Sequence, residues 1–214
     1  DNNVNGFLNI LNAAYANGIK KVLYASSAAV YTGEHFSDSM PLDYSKQHNP
    51  YAQSKIMNEM HADYFSHSKG LKTIGLRFFN VFGEGENEKG QYASIATQFL
   101  KNKNEGKPLV IYGDGSQARD FVYVGDAAKI TLMLLEKADN GIYNVGTGNA
   151  IPYERIADLI DKEHKVHVAN PLKTYQYLTK ADTTKLTGTI GAFSFKSLED
   201  WLAEKRNEGL RSNH

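Results

Sequence analysis

Residues 1–27 read DNNVNGFLNILNAAYANGIKKVLYASS, and this stretch sets the fold class. Apolar side chains recur at helical spacing over residues 4–15, which predicts a helix with capping candidates at residues 1–3. The pair Asn17-Gly18 is typical of a helix end, and residues 20–25 then predict a buried strand. A chain that opens on a helix feeding a buried strand is expected to be the later part of a longer α/β domain.

Helix and strand patterns alternate along the rest of the chain. Further helices are predicted at residues 50–68, 94–101, 127–137, 153–164 and 198–208, and further strands at residues 73–79, 109–112, 121–124 and 141–145. Asp126 is expected to cap the helix that follows it. Strands separated by helical segments indicate parallel βαβ units with right-handed crossovers. The sequence therefore predicts an α/β fold built on a doubly wound parallel sheet.

The composition of the 214 residues excludes several classes of protein. Lysine plus arginine and aspartate plus glutamate both number 24, so the chain lacks the net positive charge of a nucleic-acid binder. There are no cysteines, which excludes disulfides, thiolate zinc sites and a cysteine nucleophile. The seven histidines show no metal-ligand spacing, and no apolar run approaches the ~20 residues that cross a bilayer. We predict a cytoplasmic protein without a metal, nucleic-acid or membrane partner.

Tyr51 and Lys55 are the first candidates for chemistry. Their i, i+4 spacing on a predicted helix places a phenol and an ammonium on one face. A nearby ammonium favours the phenolate form, so such a tyrosine can transfer protons near neutral pH. Ser26 and Ser27 end the first predicted strand, where open α/β sheets bind ligands. One serine can hydrogen-bond a substrate hydroxyl or ketone while the other satisfies the strand end. The alternative for Tyr51 and Lys55 is an ordinary surface pair.

Five motifs carry a resemblance to a known family. In chain order they read YASSAAVY, NPYAQSK, LRFFNVFG, RDFVYVGDAA and GIYNVGTG, and they cover most of residues 20–150. In order and spacing they resemble the extended short-chain dehydrogenase/reductase family, the nucleotide-sugar epimerases and dehydratases. The resemblance implies a doubly wound nucleotide-binding domain and a smaller α/β substrate domain. It also implies a catalytic triad of Ser27, Tyr51 and Lys55, in which Lys55 holds the nicotinamide ribose.

The resemblance further implies a division of the chain and a cofactor. Residues 1–79 and 121–148 are expected to form the second half of the NAD(P)-binding domain, and residues 80–120 and 149–214 the substrate domain. The glycine-rich phosphate loop of the family, G-x-x-G-x-x-G, does not occur in this sequence, and we expect about 90 upstream residues to carry it. The cofactor implied is NADP, with NAD as the alternative, held weakly by this chain alone. Residues that match cofactor contacts are Asn3, Lys55, Val81 and Lys89.

Within the family, residues 83–99, GEGENEKGQYASIATQF, resemble the loop of the ADP-glyceromanno-heptose 6-epimerases. TYQYLTKADTTKL at residues 174–186 resembles the same enzymes. By this resemblance Lys89 is a second acid–base residue beside Tyr51, and the planar fork of Arg119 clamps the substrate diphosphate. The other matches to substrate contacts are Asn80, Gln91, Gln98, Tyr112, Gly113, Asp114, Gly115 and Tyr175. Two of these depart from the pattern, because glutamines stand where the epimerases have a serine and a histidine.

The resemblance therefore implies an enzyme that inverts C6 of ADP-heptose by transient oxidation with bound NADP. A ketone with two faces needs two proton donors, which is the physical reason for Tyr51 and Lys89. A full-length enzyme of this kind is expected to be a homo-oligomer.

Two other interpretations stay open. One is a UDP-hexose 4-epimerase or a sugar dehydratase, although Ala28 follows Ser27 where a dehydratase is expected to carry Asp or Glu. The other is an inactive fragment without cofactor binding. The acidic residues Glu84, Glu86 and Glu88 are predicted to lie in a solvated loop rather than to hold a divalent ion.

Overall fold

The computed structural model describes residues 2–33, 36–42, 44–170 and 177–211. The chain forms two compact units. Unit 1 comprises Asp1–Phe79, Ala128–Val145 and Ala181–Phe193, and unit 2 comprises Asn80–Ala127, Gly146–Lys180 and Ser194–His214. This division differs from the one proposed from the sequence in three segments: residues 121–127 and 146–148 fall in unit 2, and residues 181–193 in unit 1.

The chain contains seven α-helices and nine strands within the described residues, with helices lying between pairs of strands over much of its length. The α-helices of the described residues are α1 Phe7–Ala16, α2 Pro50–Lys69, α3 Ile95–Asn104, α4 Val124–Lys137, α5 Tyr153–Asp161, α6 Thr184–Ile190 and α7 Leu198–Arg211. The strands are β1 Lys21–Ser27, β2 Lys72–Phe78, β3 Asn80–Phe82, β4 Leu109–Tyr112, β5 Ala118–Tyr123, β6 Gly141–Val145, β7 Ala150–Pro152, β8 Lys165–Val168 and β9 Leu178–Thr179. A π-helical turn, Asn2–Gly6, precedes α1, and 3₁₀ turns lie at Ala28–Val30, Tyr44–Lys46 and Glu86–Tyr92.

Unit 1 is built on a parallel sheet in the order β1-β2-β6. Both strand pairs run parallel, with Ser27 opposite Phe78 and Phe78 opposite Val145. The helix α2 connects β1 to β2, and its Phe65 joins Leu11 of α1 in one core cluster with Tyr24 of β1. The predicted α/β fold with a parallel sheet is confirmed.

Unit 2 contains two sheets, one of four strands and one of two. One has the order β3-β5-β7 with β9 also paired to β5, and the other pairs β4 with β8. All of these pairs are parallel except β5 with β7. One core cluster joins Phe82, Phe121 and Trp201 to Phe99 of α3 and Ile156 of α5. Unit 2 therefore has a hydrophobic core of its own.

The boundaries of α2 follow from residues at its two ends. Pro50 occupies the first turn, where its missing N–H costs nothing, and the side chain of Asn49 accepts hydrogen bonds from Tyr51 N and Ala52 N at 2.9 and 3.4 Å. Gly70 ends the helix in the left-handed region with φ 70°. The helix predicted over residues 50–68 is thus confirmed, and Tyr51 is held in its first turn.

The position of Asp126 differs from the prediction. The helix α4 begins at Val124, so Asp126 lies inside its first turn rather than before it. Its buried carboxylate accepts a hydrogen bond from Lys196 N at 2.7 Å. The prediction that Asp126 caps a helix beginning at residue 127 was therefore wrong.

Across residues 2–33, 36–42, 44–170 and 177–211, no helix is both long and apolar enough to span a membrane.

Candidate active site

In unit 1, Tyr51 and Lys55 lie together on the first turns of α2. The Lys55 Nζ lies 5.7 Å from the centroid of the Tyr51 ring, and the same atom donates to Ala25 O at 2.9 Å. Burial lowers the pKa of the Lys55 ammonium. Tyr51 itself is half exposed. The phenol therefore faces solvent with a cation held against its ring and anchored to the end of β1.

The two serines at the end of β1 have different environments. Ser26 is buried and donates from its Oγ to Glu59 Oε1 at 2.5 Å. The Ser27 Oγ accepts from Ala29 N at 3.1 Å and so caps the 3₁₀ turn Ala28–Val30. Ser26 is thus the serine that satisfies the end of β1, a role that the sequence did not assign to one serine or the other. The Ser27 hydroxyl, which donates to no other described residue, is the one able to bind a substrate oxygen.

A buried polar network, which was not predicted from the sequence, lies beside the end of β1. Arg77 of β2 donates from Nε and NH2 to the Glu59 carboxylate at 2.9 and 2.7 Å, and from NH1 to the Tyr31 hydroxyl at 3.0 Å. The Tyr31 hydroxyl donates to Asn144 Oδ1 at 2.7 Å. Because the network joins β1, β2 and β6 to α2, it fixes the strand end that carries Ser27 against the helix that carries Tyr51. An arginine inside an apolar strand, as in LRFF, was the signal for it.

The residues of unit 1 fit the nicotinamide ribose of a dinucleotide. The Lys55 ammonium has three donors, and only one described acceptor, Ala25 O, engages it. Hydroxyl groups of a ribose can accept from the other two. Asn3 lies in the π-helical turn and donates to Ser54 Oγ at 3.0 Å, next to Lys55 in α2. Val81, the other residue matched to the cofactor, is half-buried on β3 in unit 2.

In unit 2, Lys89 lies on the 3₁₀ turn Glu86–Tyr92. Its Nζ lies 3.6 Å from Glu86 Oε1, and the Lys89 side chain is 49% exposed whereas that of Glu86 is 5% exposed. Glu86 is thus buried, and the predicted solvated loop is wrong for this residue. Glu84 and Glu88 are exposed as predicted.

Arg119 lies on β5 and is oriented by its neighbours. Its NH1 donates to Ala118 O at 2.9 Å and to Tyr177 O at 3.3 Å, and its guanidinium lies 5.6 Å from the ring centroid of Tyr153. The side chain is buried, so the guanidinium is held in one direction. Asn80, on the neighbouring strand, donates from its side chain to Asp120 O at 3.3 Å.

The segment Tyr112–Gly115 turns sharply after β4. Gly113 and Gly115 have φ values of 72° and 76°, which favour glycine. A Cβ on Gly115 would lie 2.9 Å from Glu154 Cβ, so a side chain there would need its surroundings to shift. The Asp114 carboxylate accepts from Ser116 Oγ and Ser116 N at 2.6 and 3.0 Å, and these hydrogen bonds lower the pKa of Asp114.

Gln98 of α3 contacts the segment that carries Gln91. The Gln98 side chain donates to Ala93 O at 2.8 Å and to Gln91 O at 3.2 Å, which joins α3 to the end of the 3₁₀ turn. Gln91 is exposed. Tyr175 lies outside the described residues. Among the residues that the structure does describe, no three histidine, aspartate or glutamate side chains are grouped to hold a metal ion.

The family is shown by comparison with known proteins. Residues 1–146 match the model of the NAD dependent epimerase/dehydratase family. The chain belongs to this family, which confirms the resemblance carried by the five sequence motifs.

Solved structures of nucleotide-sugar epimerases are similar over nearly the whole chain. UDP-N-acetylglucosamine 4-epimerase from Methanobrevibacter ruminantium M1, solved with UDP-N-acetylmuramic acid, is 32% identical with a TM-score of 0.81, over 99% of this chain and 69% of that one. UDP-glucose 4-epimerase from Thermotoga maritima, solved with UDP-glucose, is 27% identical with a TM-score of 0.85, over 97% and 70%. ADP-L-glycero-D-manno-heptose-6-epimerase from Helicobacter pylori is 26% identical with a TM-score of 0.80, over 96% and 64%. Hexose and heptose enzymes thus share this fold.

Proposed function

We propose that the protein is a nucleotide-sugar epimerase that inverts C6 of ADP-glyceromanno-heptose, with NADP as its cofactor. The observation that carries the proposal is Lys89, a half-exposed ammonium on a turn held by the buried Glu86. A second acid–base group is what a ketone with two reactive faces requires. The sequence around Lys89, KG-x-x-AS, matches the heptose epimerases as well.

The proposed reaction divides the work among a few side chains. A bound nicotinamide dinucleotide would supply a reversible hydride acceptor for oxidation of the C6 alcohol to a ketone. Tyr51 takes the hydroxyl proton as the hydride leaves C6, and Lys89 gives a proton to the ketone oxygen when the hydride returns to the opposite face. Ser27 hydrogen-bonds the reacting oxygen, and Lys55, whose ammonium lies 5.7 Å from the centroid of the Tyr51 ring, is assigned to the nicotinamide ribose.

The substrate contacts are proposals of the same kind. The guanidinium of Arg119 suits a diphosphate, because its planar fork of donors matches two phosphate oxygens. The turn Tyr112–Gly115 is assigned to the nucleotide end. Asn80, Gln91, Gln98 and Tyr175 are assigned to the sugar and its linkage.

A second candidate is a UDP-hexose 4-epimerase. The observation that favours it is the higher identity to the M. ruminantium UDP-N-acetylglucosamine 4-epimerase, 32%, than to the H. pylori heptose epimerase, 26%. In that case Tyr51 and Ser27 keep their roles at C4, and Lys89 has no role in the reaction.

A substrate panel tests the two candidates against each other. The whole protein, as its gene encodes it, is incubated separately with ADP-D-glycero-D-manno-heptose, UDP-glucose and UDP-N-acetylglucosamine, each with NADP or NAD, and products are identified by NMR. We expect epimerisation of the heptose at C6 with the other sugars unchanged. Epimerisation of a UDP-hexose at C4 alone would replace the proposal by the second candidate, and no conversion of any sugar would favour an inactive protein.

A further inference from the structure

The carboxylate of Glu86 is buried and fully engaged. Its Oε2 accepts from the hydroxyls of Ser94 and Thr97, each at 2.7 Å, and its Oε1 accepts from Ser94 N at 2.9 Å. Ser94 also caps α3, because its Oγ accepts from Thr97 N at 3.4 Å. The carboxylate therefore lies at the positive end of a helix, among three donors that fix its position.

The ammonium of Lys89 meets this fixed charge. The Lys89 Nζ lies 3.6 Å from Glu86 Oε1, one turn along the 3₁₀ segment. Gly90 follows with φ 56° and ψ −123°, so the chain turns away directly after the lysine. An ion pair between two exposed side chains is mobile, but here one partner is immobilised by hydrogen bonds. The Lys89 side chain is thus held at its ammonium by Glu86, and its backbone is held by the turn at Gly90.

Hydrogen bonding alone does not require a charge at position 86. A glutamine there can accept from Ser94 N through its carbonyl, and its NH₂ can donate to the hydroxyl oxygens of Ser94 and Thr97. The feature that only a carboxylate supplies is its negative charge, which attracts Lys89 and also interacts favourably with the N-terminus of α3.

We propose that Glu86 is a positioning residue that holds the Lys89 ammonium in place for proton transfer at the sugar carbon. This role rests on the proposed function of Lys89. Glu86 does not touch the substrate in this scheme. It acts through Lys89, and its loss should matter only while Lys89 is present.

A double-mutant cycle in the whole enzyme tests the role. Glu86→Gln should lower kcat for ADP-heptose about tenfold or more with little change in KM, because misplacing a reacting group by 1 Å can cost about 10²-fold. In a Lys89→Met background the same change should cause no further loss of the residual rate. Glu88→Gln is the matched control, since Glu88 is an exposed acid in the same turn and its removal should leave kcat unchanged. An equal loss from Glu86→Gln with and without Lys89 would overturn the proposal.

A second measurement does not depend on the substrate. Lysine labelling by an amine-reactive reagent at fixed pH is followed by mass spectrometry of the peptide that contains Lys89. Glu86→Gln should raise the labelling rate of Lys89 several-fold, because the amine is no longer held against the buried carboxylate and is free to meet the reagent, whereas Glu88→Gln should not. Unchanged labelling overturns the pairing itself. Raised labelling in a protein that does not convert ADP-heptose would mean that the pairing stands and the proposed function fails.

A third variant covers the case in which Glu86→Gln does not fold. Glu86→Asp keeps a negative charge at this position but shortens the side chain by one methylene, which withdraws the carboxylate from Lys89 as well as from Ser94 and Thr97. It should also raise Lys89 labelling, and labelling equal to that of the unaltered protein would count against the proposal.

Discussion

Arg77 and Glu59 form an ion pair inside unit 1, with side chains 5% and 11% exposed and 2.7 Å between NH2 and Oε2. Glu59→Gln would leave the guanidinium buried without its counter-charge. Removing one partner of a buried pair costs about 3–5 kcal/mol, because the remaining charge is desolvated and uncompensated. We expect a loss of that size in the free energy of unfolding, measured by chemical denaturation.

The control for this prediction is an ion pair of similar length at the surface. Lys72 Nζ and Asp139 Oδ1 lie 2.5 Å apart, with side chains 47% and 81% exposed. Asp139→Asn should cost at most about 1 kcal/mol, since water solvates the lysine that remains. Equal losses of unfolding free energy from Glu59→Gln and Asp139→Asn would show that the buried network around Arg77 does not hold the end of β1.

The acid–base residues give a prediction about rate. In the whole protein, Tyr51→Phe and Lys89→Met should each lower kcat for C6 epimerisation by about 10² to 10⁴, the usual effect of losing a general acid or base. Lys101→Met, which removes an exposed lysine from α3, should leave the rate unchanged. Activity retained in the Lys89→Met variant would mean that Lys89 is an ordinary loop lysine without a role in the reaction.

The Lys55→Met variant should behave differently from the Tyr51→Phe and Lys89→Met variants. Its ammonium lies over the Tyr51 ring and is assigned to the ribose, so nucleotide affinity should fall together with kcat. Titration calorimetry with the dinucleotide measures the first effect and initial rates measure the second. A lowered rate at unchanged nucleotide affinity would remove Lys55 from the cofactor site.

At the scale of single elements, the N-cap of α2 determines where Tyr51 stands. The Asn49 side chain accepts from the backbone N–H groups of Tyr51 and Ala52. Asn49→Ala should lower the free energy of unfolding by about 1 kcal/mol, and Asn49→Ser should restore most of it, because serine also caps helices. Thermal denaturation of the two variants checks this, and equal stabilities would show that the cap contributes nothing.

Elements with marked ends could be predicted from the sequence. Pro50 and Gly70 bound α2, and glycines flank β6, so local residue preferences already identify them. The short strands β3 and β8 could not be predicted from such local residue preferences. The sequence predicts one strand at residues 73–79, but Phe79 N donates to Val145 O and the chain then changes sheets to form β3, which was not predicted. β8 reads KVHV, an alternation of only four residues, and most of its side chains are exposed, so the pattern is too short to indicate a strand.

The candidate site could likewise be predicted only where local sequence patterns determine its residues. The spacing of Tyr51 and Lys55 is fixed by one helix, so their shared face was predictable. The burial of Glu86 depends on Ser94 and Thr97, further along the chain and on a different element. An alternating run of acids and glycines favours a solvated loop unless those partners are known. The network around Arg77 likewise depends on side chains from separate strands and helices.

At the scale of the whole molecule, the surroundings of the Glu84 carboxylate predict how the free energy of unfolding depends on pH. Its carboxylate accepts from Tyr123 OH at 2.8 Å and from the indole N–H of Trp201 at 3.2 Å. Its own backbone N–H, and then these two donors and Lys205, lower the pKa of Glu84 to about 2. A carboxylate with a lowered pKa contributes stability above its ordinary pKa, and this contribution is lost as pH falls from about 4.5 towards 2.

Glu84→Gln should therefore destabilise the protein at pH 7 and have a progressively smaller effect below pH 4.5. Trp201 is the single tryptophan of the sequence, so its fluorescence follows unfolding beside the carboxylate directly. Denaturation curves of the two proteins at pH 7, 4 and 3 make the comparison. A difference in stability that stays constant over this range would contradict the assignment to Glu84.

The central claim is that the protein inverts C6 of ADP-heptose by removing a hydride and returning it to the same carbon. The direct measurement is incubation of the whole protein, with NADP, and ADP-D-glycero-D-manno-heptose in D₂O, with C6 followed by NMR. A hydride held out of contact with water does not exchange, so we expect the C6 epimer to form with protium retained at C6. Deuterium at C6 of the product, or no epimer at all, would contradict the claim.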